Sequence, residues 1–260
     1  MKLTMIGNYP IPLKDVEISY SGIFDPPKNV AALAAKGFEV AKGRNPNVFD
    51  GQLVRLLDIQ HNASKCIFVS EKTSYSIYTE TRSPTSPFVY KSNPLGMSVL
   101  VITADGEICI SKRSTKTDQN PGAAYFFGGY VDAPQTGLQV DFFLEVCREL
   151  SEEIDIDCIE IDRTFLLGVG YDPLFNHPEA VVITYTSLSA VEVHHRWQSA
   201  RDRDETEDVV FLPLSQFSLP AAKSTFRQKF SGETPITWSF LTGQGMYREA
   251  IIKGFGSSKS

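Results

Sequence analysis

The segment Met97 to Thr103 is the longest mainly apolar run in the chain, and it constrains the fold more than any other feature. Its seven residues are too few to cross a membrane, because a transmembrane helix needs about 20 apolar residues. A run of this length is typical of a buried strand. Ala104 to Glu107 has the composition of a tight turn and Ile108 to Lys112 that of a returning strand, so we predict a β-hairpin here.

Composition places the chain among globular proteins and excludes several function classes. Hydrophobic residues make up 42% and charged residues 22% of the 260 residues, which argues against a disordered or membrane-spanning chain. The net charge of −6 argues against a nucleic-acid partner, because such binding depends on neutralising phosphates. The N-terminus lacks the apolar core of a secretory signal. We therefore expect a cytoplasmic protein with no membrane partner, and the sequence leaves its oligomeric state open.

The four cysteines show no pattern of metal or redox chemistry. Cys66, Cys109, Cys147 and Cys158 contain no C-x-x-C pair and have no histidine at zinc-binding spacing. Cys109 falls in an alternating strand, and Cys147 falls on the apolar side of a predicted helix. We expect all four to be reduced thiols, with these two packed in the core.

The chain divides into three regions near a turn-rich stretch. The sequence SPTSP at 83–87 interrupts the regular patterns. A Pro-initiated helix and paired strands over 48–70 predict an N-terminal α+β extension over residues 1–94. The hairpin, a helix and further strands predict a mixed α/β domain over residues 95–217. Residues 218–260 keep many apolar side chains, and we expect them to pack as a helical C-terminal segment.

The helix predicted from Asp141 to Ile154 has an acidic face and an apolar face. Four glutamates share an arc of roughly 100° on a helix of 3.6 residues per turn, and they are Glu145, Glu149, Glu152 and Glu153. The apolar residues that predict the core-facing side are Phe143, Val146, Cys147, Leu150 and Ile154. The acidic face is therefore expected to stand on a rigid, docked element.

The acidic face carries like charges at helical contact distance. Pairs such as Glu145–Glu149 and Glu149–Glu153 are each unfavourable by roughly 0.2–0.5 kcal/mol, and Arg148 is the obvious local cation. The helix dipole also disfavours anions near the helix C-terminus. A divalent cation such as Mg²⁺ would remove the repulsion, because it binds carboxylate oxygens. The alternative that stays open is a solvated acidic face without a ligand.

The segment around this helix resembles the signature of the Nudix hydrolases. That signature is written G-x5-E-x7-R-E-U-x-E-E-x-G-U, with U apolar, and Gly129 and the run from Arg148 to Ile156 match most of it. Gln135 stands where the first glutamate is expected, and Asp155 replaces the last glycine. The spacing from Gly129 to Arg148 is five residues longer than the pattern. A longer loop costs little, and Asp155 can adopt the left-handed conformation that a helix end favours.

The resemblance implies an α/β fold of the Nudix type, an α/β/α sandwich around a mixed sheet, with the N-terminal α+β extension added to it. It also implies a hydrolase of phosphorus anhydrides that acts on a small nucleotide and depends on Mg²⁺, with Mn²⁺ able to substitute. The metal ligands that it implies are Glu149, Glu152, Glu153 and the carbonyl of Gly129. Arg148 would orient these glutamates through charge-assisted hydrogen bonds.

Other roles are assigned from position in the chain. A general base is expected either on the helix or in the charged loop at 201–208, where Glu205, Glu207 and Asp208 are candidates and Glu207 is preferred. Arg113, at the end of the hairpin, is a candidate for phosphate binding. The candidates for base stacking or for lining the pocket are Tyr125, Tyr171 and Phe175. For each of these side chains, simple packing is the competing interpretation, and no role is assigned to any histidine.

Two short motifs in the N-terminal extension are similar to the UDP-glucose pyrophosphatase branch of eukaryotic Nudix proteins. They are the run from Phe49 to Leu56 and the run from Thr73 to Arg82. This resemblance implies cleavage of a UDP-sugar, such as UDP-glucose to UMP and glucose 1-phosphate, with the extension forming one wall of the cleft. Two alternatives stay open. One is a Nudix-fold module that binds a nucleotide or a protein with little catalysis, and the other is a purely structural α/β protein.

Overall fold

The computed structural model describes residues 3–4, 10–44, 49–62, 65–82, 90–117, 120–134, 139–172, 177–218, 230 and 234–255. Its strands, in chain order, are β1 (Leu3–Thr4), β2 (Ile11–Pro12), β3 (Val16–Ile23), β4 (Gln52–His61), β5 (Cys66–Ser74), β6 (Gly96–Ile102), β7 (Glu107–Arg113), β8 (Ala124–Tyr125), β9 (Gln139–Val140), β10 (Ile161–Tyr171), β11 (Pro178–Thr186) and β12 (Thr206–Pro213). Its helices are α1 (Lys28–Arg44), α2 (Tyr75–Thr81), α3 (Phe142–Ile154), α4 (Ala190–Trp197), α5 (Leu214–Phe217) and α6 (Trp238–Ile252). None of the helices in these ranges has both the length and the apolarity that a membrane crossing requires.

Eight strands form a central mixed sheet. Six of them follow the order β1-β10-β11-β6-β7-β12, while β2 pairs with β10 and β8 pairs with β7. The β11–β6 pair is parallel, and the predicted hairpin is present as the antiparallel pair β6–β7. The first half of β6 pairs instead with residues 127–131. The amides of Met97 and Val99 donate to the carbonyls of Gly129 and Phe127 at 2.8 and 2.7 Å, so the glycine segment is fixed within the sheet.

Side chains alternate across this sheet and build a core on each face. On β6, Val99 and Val101 join the core that contains α3 and α4, whereas Leu100 and Ile102 join the core that contains α5 and α6. Successive residues of a strand point to opposite faces, so a strand that is apolar throughout must be covered on both sides. The predicted α/β/α sandwich around a mixed sheet is confirmed.

The N-terminal extension shares the first core instead of forming one of its own. A second sheet has the order β4-β5-β3-β9, and Phe68 of β5 packs in the same cluster as α3. The ring centroids of Phe68 and Phe142 lie 6.0 Å apart. A backbone hydrogen bond of 3.0 Å from the Val54 amide to the Val131 carbonyl links β4 to the main domain. The division at residue 94 stays a prediction, but the two parts have a common interior.

The two N-terminal motifs lie in contact with each other. The Asp50 carboxylate accepts hydrogen bonds from the amide and the hydroxyl of Ser76, each at 2.7 Å. The Tyr75 amide donates to the Gly51 carbonyl at 3.0 Å, and the Ser74 hydroxyl accepts from an amide of the first turn. Such contacts satisfy amides that have no partner inside a helix. The two motifs therefore fix where α2 begins.

The expectation of four reduced cysteines is wrong. Cys147 and Cys158 form a disulfide with their Cα atoms 5.3 Å apart, while Cys66 and Cys109 are buried thiols. The chain turns at Asp155, which has a left-handed backbone, and this turn brings Cys158 back beside α3. The sequence does not predict this disulfide, because the proximity of the two cysteines depends on that turn and not on a short spacing.

Phe68→Ala is expected to destabilise the whole protein, because it opens a cavity in the core that both parts share. We expect the free energy of unfolding to fall by about 3–5 kcal/mol, as measured by urea denaturation followed by circular dichroism. The matched control is Phe49→Ala, which removes a ring that is 78% exposed and should change stability by less than about 0.5 kcal/mol. If the extension and the main domain of the wild type unfolded in separate transitions, that result would contradict the shared core.

Candidate active site

α3 is capped at both ends and packs into the core along one side. Asp141 accepts hydrogen bonds from the amides of Phe143 and Leu144 at 2.9 and 3.3 Å, which caps the helix N-terminus. Leu150 is fully buried in the core. Asp155 has φ 55° and ψ 41°, so it takes the left-handed position that glycine favours at a helix end. The acidic face of α3 is therefore presented by a rigid element.

Arg148 lies at the centre of the acidic face and contacts several of its carboxylates. Its guanidinium nitrogens lie 3.0 Å from Glu145, 2.8 Å from Glu149 and 3.0 Å from Glu152. Burial opposes the charge of Arg148, but the neighbouring glutamates raise its pKa overall, so it stays protonated. These charge-assisted hydrogen bonds hold the three carboxylates in place.

Glu149 and Glu153 are the buried members of the acidic face, and each is 8% exposed. Glu153 accepts a hydrogen bond from the Gly128 amide at 2.8 Å. Burial, partly offset by Arg148, raises the pKa of Glu149 to about 7. Burial, together with the charge of Glu149, raises the pKa of Glu153 well above its usual range. Both carboxyl groups are therefore costly to ionise in the metal-free protein.

The close approach of these carboxylates requires glycine at two positions. Gly128 has φ 125°, and a Cβ there would overlap the carbonyl of Met97. A Cβ on Gly129 would come within 2.9 Å of a Glu149 oxygen. The Gly129 carbonyl already accepts the Met97 amide at 2.8 Å, although a carbonyl oxygen has a second lone pair. Gly129 as a metal ligand stays a prediction.

The oxygen donors of this face suit a hard divalent cation. Mg²⁺ binds carboxylate oxygens, and Glu153 forms no ion pair with any Lys or Arg in the part of the chain that the structure describes. Within that part, no three His, Cys, Asp or Glu side chains are already grouped around a metal position. Glu152 is held instead by Arg148 and, at 3.1 Å, by Arg201. Glu149 and Glu153 thus fit a cation, and Glu152 would have to leave its arginines to join them.

The two loop acids Glu205 and Glu207 face different neighbours. Glu205 lies 3.8 Å from Arg113, and its charge adds to the effect of burial in raising the pKa of Glu153. Glu207 forms a 3.2 Å ion pair with Lys112. Both side chains are about half exposed, 55% for Glu205 and 48% for Glu207. Glu205 is therefore the loop acid directed toward the acidic face, and this geometry does not favour our preference for Glu207 as the general base.

Of the candidate substrate residues, Arg113 and Tyr125 lie together beside this site. The Arg113 guanidinium carbon is 4.9 Å from the centre of the Tyr125 ring. Nε of Arg113 is buried and has no hydrogen-bond partner among the described residues. Tyr171 ends β10, and its charged neighbour is Asp58 of β4, so it is not brought to Arg113. Phe175 lies outside the described residues.

A buried group of polar and aromatic side chains near the glycine segment is absent from the sequence predictions. We call it the His177 cluster, and it contains His177, Glu179, Ser98, Tyr78, Tyr130 and Trp238. Glu179 and Ser98 stand within otherwise apolar strands, which is a signal that the sequence did contain. His177 has no spacing to another residue that would indicate a role.

Comparisons with known proteins find similarity in structure only. No protein-family model matches the chain, and no curated protein is significantly similar to it. The Nudix domain of Shewanella oneidensis NrtR, complexed with ADP ribose, matches 64% of this chain and 93% of its own at 15% identity, with a TM-score of 0.40. The MutT Nudix hydrolase of Burkholderia pseudomallei matches 58% and 95% at 19% identity, with a TM-score of 0.38. The Nudix hydrolase RenU of M. smegmatis matches 62% and 85% at 11% identity, with a TM-score of 0.36. All three are Nudix proteins.

Glu153→Gln is expected to stabilise the metal-free protein at pH 8 but not at pH 4. Burial raises the pKa of Glu153 in the folded state. The folded state therefore loses stability as the pH rises above 4.5, which is the ordinary pKa of this carboxyl group. Glutamine can still accept the Gly128 amide, and it carries no charge. We expect the melting temperature of the variant to exceed that of the wild type by several degrees at pH 8, and to be nearly equal to it at pH 4, by calorimetry in EDTA.

The control for this measurement is Glu39→Gln, on the exposed side of α1, which should leave the melting temperature unchanged at both pH values. A variant Glu153→Gln that melts below the wild type at pH 8 would show that the carboxylate is already compensated in the folded protein.

Proposed function

We propose that this protein is a Nudix hydrolase that cleaves the pyrophosphate bond of a nucleoside diphosphate linked to a second moiety, with the help of a divalent cation. The observation that carries the proposal is the placement of two buried carboxylates, Glu149 and Glu153, against the Gly128–Gly129 segment. These residues come from the two parts of the signature that the sequence resembles. A fold by itself does not indicate an activity, so the proposal rests on this site.

Glu149 and Glu153 would hold Mg²⁺ or Mn²⁺, with Glu152 and the Gly129 carbonyl as further candidate ligands. When bound, the cation supplies positive charge that stabilises the reacting pyrophosphate. Arg148 contributes by holding the carboxylates in position, because it contacts Glu149 and Glu152 simultaneously. It is therefore a positioning residue and not a substrate contact.

Arg113 and Glu205 have complementary roles in this proposal. Arg113 has a buried Nε with no hydrogen-bond partner in the described ranges, and a guanidinium group binds phosphate oxygens well. Glu205 lies 3.8 Å from Arg113, so it would face the phosphorus that Arg113 helps to hold. Glu205 can then remove a proton from the attacking water, which typically contributes about 10²–10⁴-fold to a rate.

The N-terminal extension supports a substrate with a second moiety beyond the pyrophosphate. Asp50 and Ser76 fix the start of α2, and Tyr78 of α2 lies 5.2 Å from the ring of Tyr130, the residue after Gly129. The extension thus reaches the site, and contacts remote from phosphorus help to orient a substrate. UDP-sugars, with UDP-glucose first, are our preferred substrates on the strength of the motif resemblance, and we expect a cytoplasmic enzyme.

A Nudix-fold binding module with little catalysis is the second candidate. The ion pairs of Glu152 with Arg148 and Arg201 favour it, because they occupy a carboxylate that a metal site would use. Metal-dependent turnover distinguishes the two candidates. It is best sought with UDP-glucose, ADP-ribose, NADH, diadenosine polyphosphates, coenzyme A, capped RNA and nucleoside triphosphates.

Glu149→Gln is expected to abolish metal-dependent turnover without unfolding the protein. It removes a ligand that stabilises the transition state, so we expect a fall in kcat of roughly a thousandfold, or about 4 kcal/mol. Mg²⁺ should raise the melting temperature of the wild type by mass action, and the variant should lose most of that rise. Glu39→Gln is again the control. Normal turnover by the variant, or an equal Mg²⁺ effect on both proteins, would place the metal elsewhere.

Glu205→Gln and Glu207→Gln form a matched pair that identifies the general base. The loop geometry predicts that Glu205→Gln lowers kcat by about 10²–10⁴-fold, while Glu207→Gln stays within about twofold because its carboxylate pairs with Lys112. Steady-state kinetics at saturating Mg²⁺ measure both. The opposite ranking would restore the preference for Glu207, and two unaffected variants would move the base to α3.

A further inference from the structure

A buried acid and a histidine have no role in the chemistry described above. His177 immediately precedes β11 and is 8% exposed, and Glu179 is 3% exposed. One oxygen of Glu179 accepts a hydrogen bond from the Ser98 hydroxyl, and the other lies 3.9 Å from Nε2 of His177. No Lys or Arg within the described ranges forms an ion pair with Glu179. A buried carboxylate needs a partner, and His177 is the basic group that stands nearest.

The other ring nitrogen of His177 has no partner in the part of the chain that the structure describes. Nδ1 is buried and makes no hydrogen bond to any described residue. A phenylalanine would occupy a similar space without leaving a buried polar atom unsatisfied, so packing alone does not explain a histidine here. Unsatisfied buried polar groups are rare in folded proteins and call for a specific explanation, such as a ligand.

Aromatic rings from three parts of the chain surround His177. Its ring centroid lies 6.3 Å from Tyr78 of α2, 6.2 Å from Tyr130 and 5.9 Å from Trp238 of α6, each in an edge-to-face arrangement. Tyr130 and Trp238 are partly exposed, whereas His177 itself is 8% exposed. Tyr125 hydrogen-bonds with Ser98 of the cluster and has both Glu179 and Glu153 as charged neighbours, so it links the cluster to the buried carboxylates of α3.

We propose that His177 recognises the nucleobase of the substrate, an inference that rests on the proposed function and names the part of the nucleotide held beside the phosphates. A nucleobase has a flat apolar face and a polar edge. The cluster offers the partly exposed residues Tyr130 and Trp238 together with Nδ1, which has no partner among the described residues. The proximity of Glu179 favours a proton on Nε2, which makes Nδ1 an acceptor for an N–H group of the base.

Three substitutions of His177 separate the roles of its two nitrogens. His177→Phe keeps a ring and removes both nitrogens, His177→Asn places an amide near the position of Nδ1, and His177→Gln places one near Nε2. Titration calorimetry on the full chain with UMP, AMP and inorganic pyrophosphate measures the affinities. We expect His177→Phe to weaken the nucleotide that the wild type binds best by about tenfold or more. Binding of pyrophosphate should change by less than about twofold. His177→Asn should recover more of the nucleotide affinity than His177→Gln.

His194→Phe is the matched control, because His194 also packs against an aromatic ring, 5.4 Å from Trp197, but on α4. It should leave all three affinities unchanged. The inference is overturned if His177→Phe weakens nucleotide and pyrophosphate equally, if it weakens neither, or if the wild type binds neither UMP nor AMP. None of these measurements needs turnover. A wild type that binds a nucleotide through His177 and hydrolyses nothing would refute the proposed function and support this inference. An active wild type whose nucleotide affinity is unchanged by His177→Phe would support the proposed function and refute this inference.

Discussion

The pairing of the glycine segment with the first half of β6 is the interaction on which the candidate site depends. Main-chain hydrogen bonds from Met97 and Val99 fix Gly129 and Phe127 in the sheet, directly below the acidic face of α3. The carboxylates of Glu149 and Glu153 fit there because the glycines have no side chains. Their burial next to each other then follows from the docking of α3, and the raised pKa values follow from that burial. The close approach of α3 and the electrostatics of its glutamates thus both depend on this backbone pairing.

The parts of the fold that the sequence predicts are those whose pattern is local. The hairpin of β6 and β7, both faces of α3 and the left-handed turn at Asp155 depend on residues no more than a few positions apart, where strand and helix periodicity constrain the side chains. The acidic face could also be identified in this way, because residues three and four apart on a helix are neighbours. Periodicity does not show which of those glutamates contact the glycine segment. Gln135, which stands where the signature has a glutamate, lies outside the described residues.

Features that depend on tertiary geometry could not be predicted from local sequence patterns. A regular strand would place Glu205 and Glu207 on one side, since side chains alternate with a period of two. Glu205 instead ends a 3₁₀ turn, Arg203–Glu205, before β12 begins, and Glu207 lies at the register shift between Thr206 and Asp208. One acid therefore faces Arg113 and the other Lys112. The Cys147–Cys158 disulfide and the ring of aromatic residues around His177 likewise join positions that no spacing relates. The same holds for the core that the N-terminal extension shares with α3.

The strand order of the central sheet also dictates how the protein can fold. β1 pairs with Val169 and Gly170 of β10, and β6 finds its parallel partner in β11, so these contacts join residues that are far apart in the sequence. The long stretches of chain between these strands must be closed into loops before the contacts can stabilise the fold, and folding that depends on such contacts is slow. During synthesis, the hairpin of β6 and β7 therefore leaves the ribosome before its parallel partner β11, and the face that α5 and α6 cover stays open until residues 214–252 have followed. The newly made chain therefore passes through a stage with exposed apolar surface, and such surface is prone to aggregation.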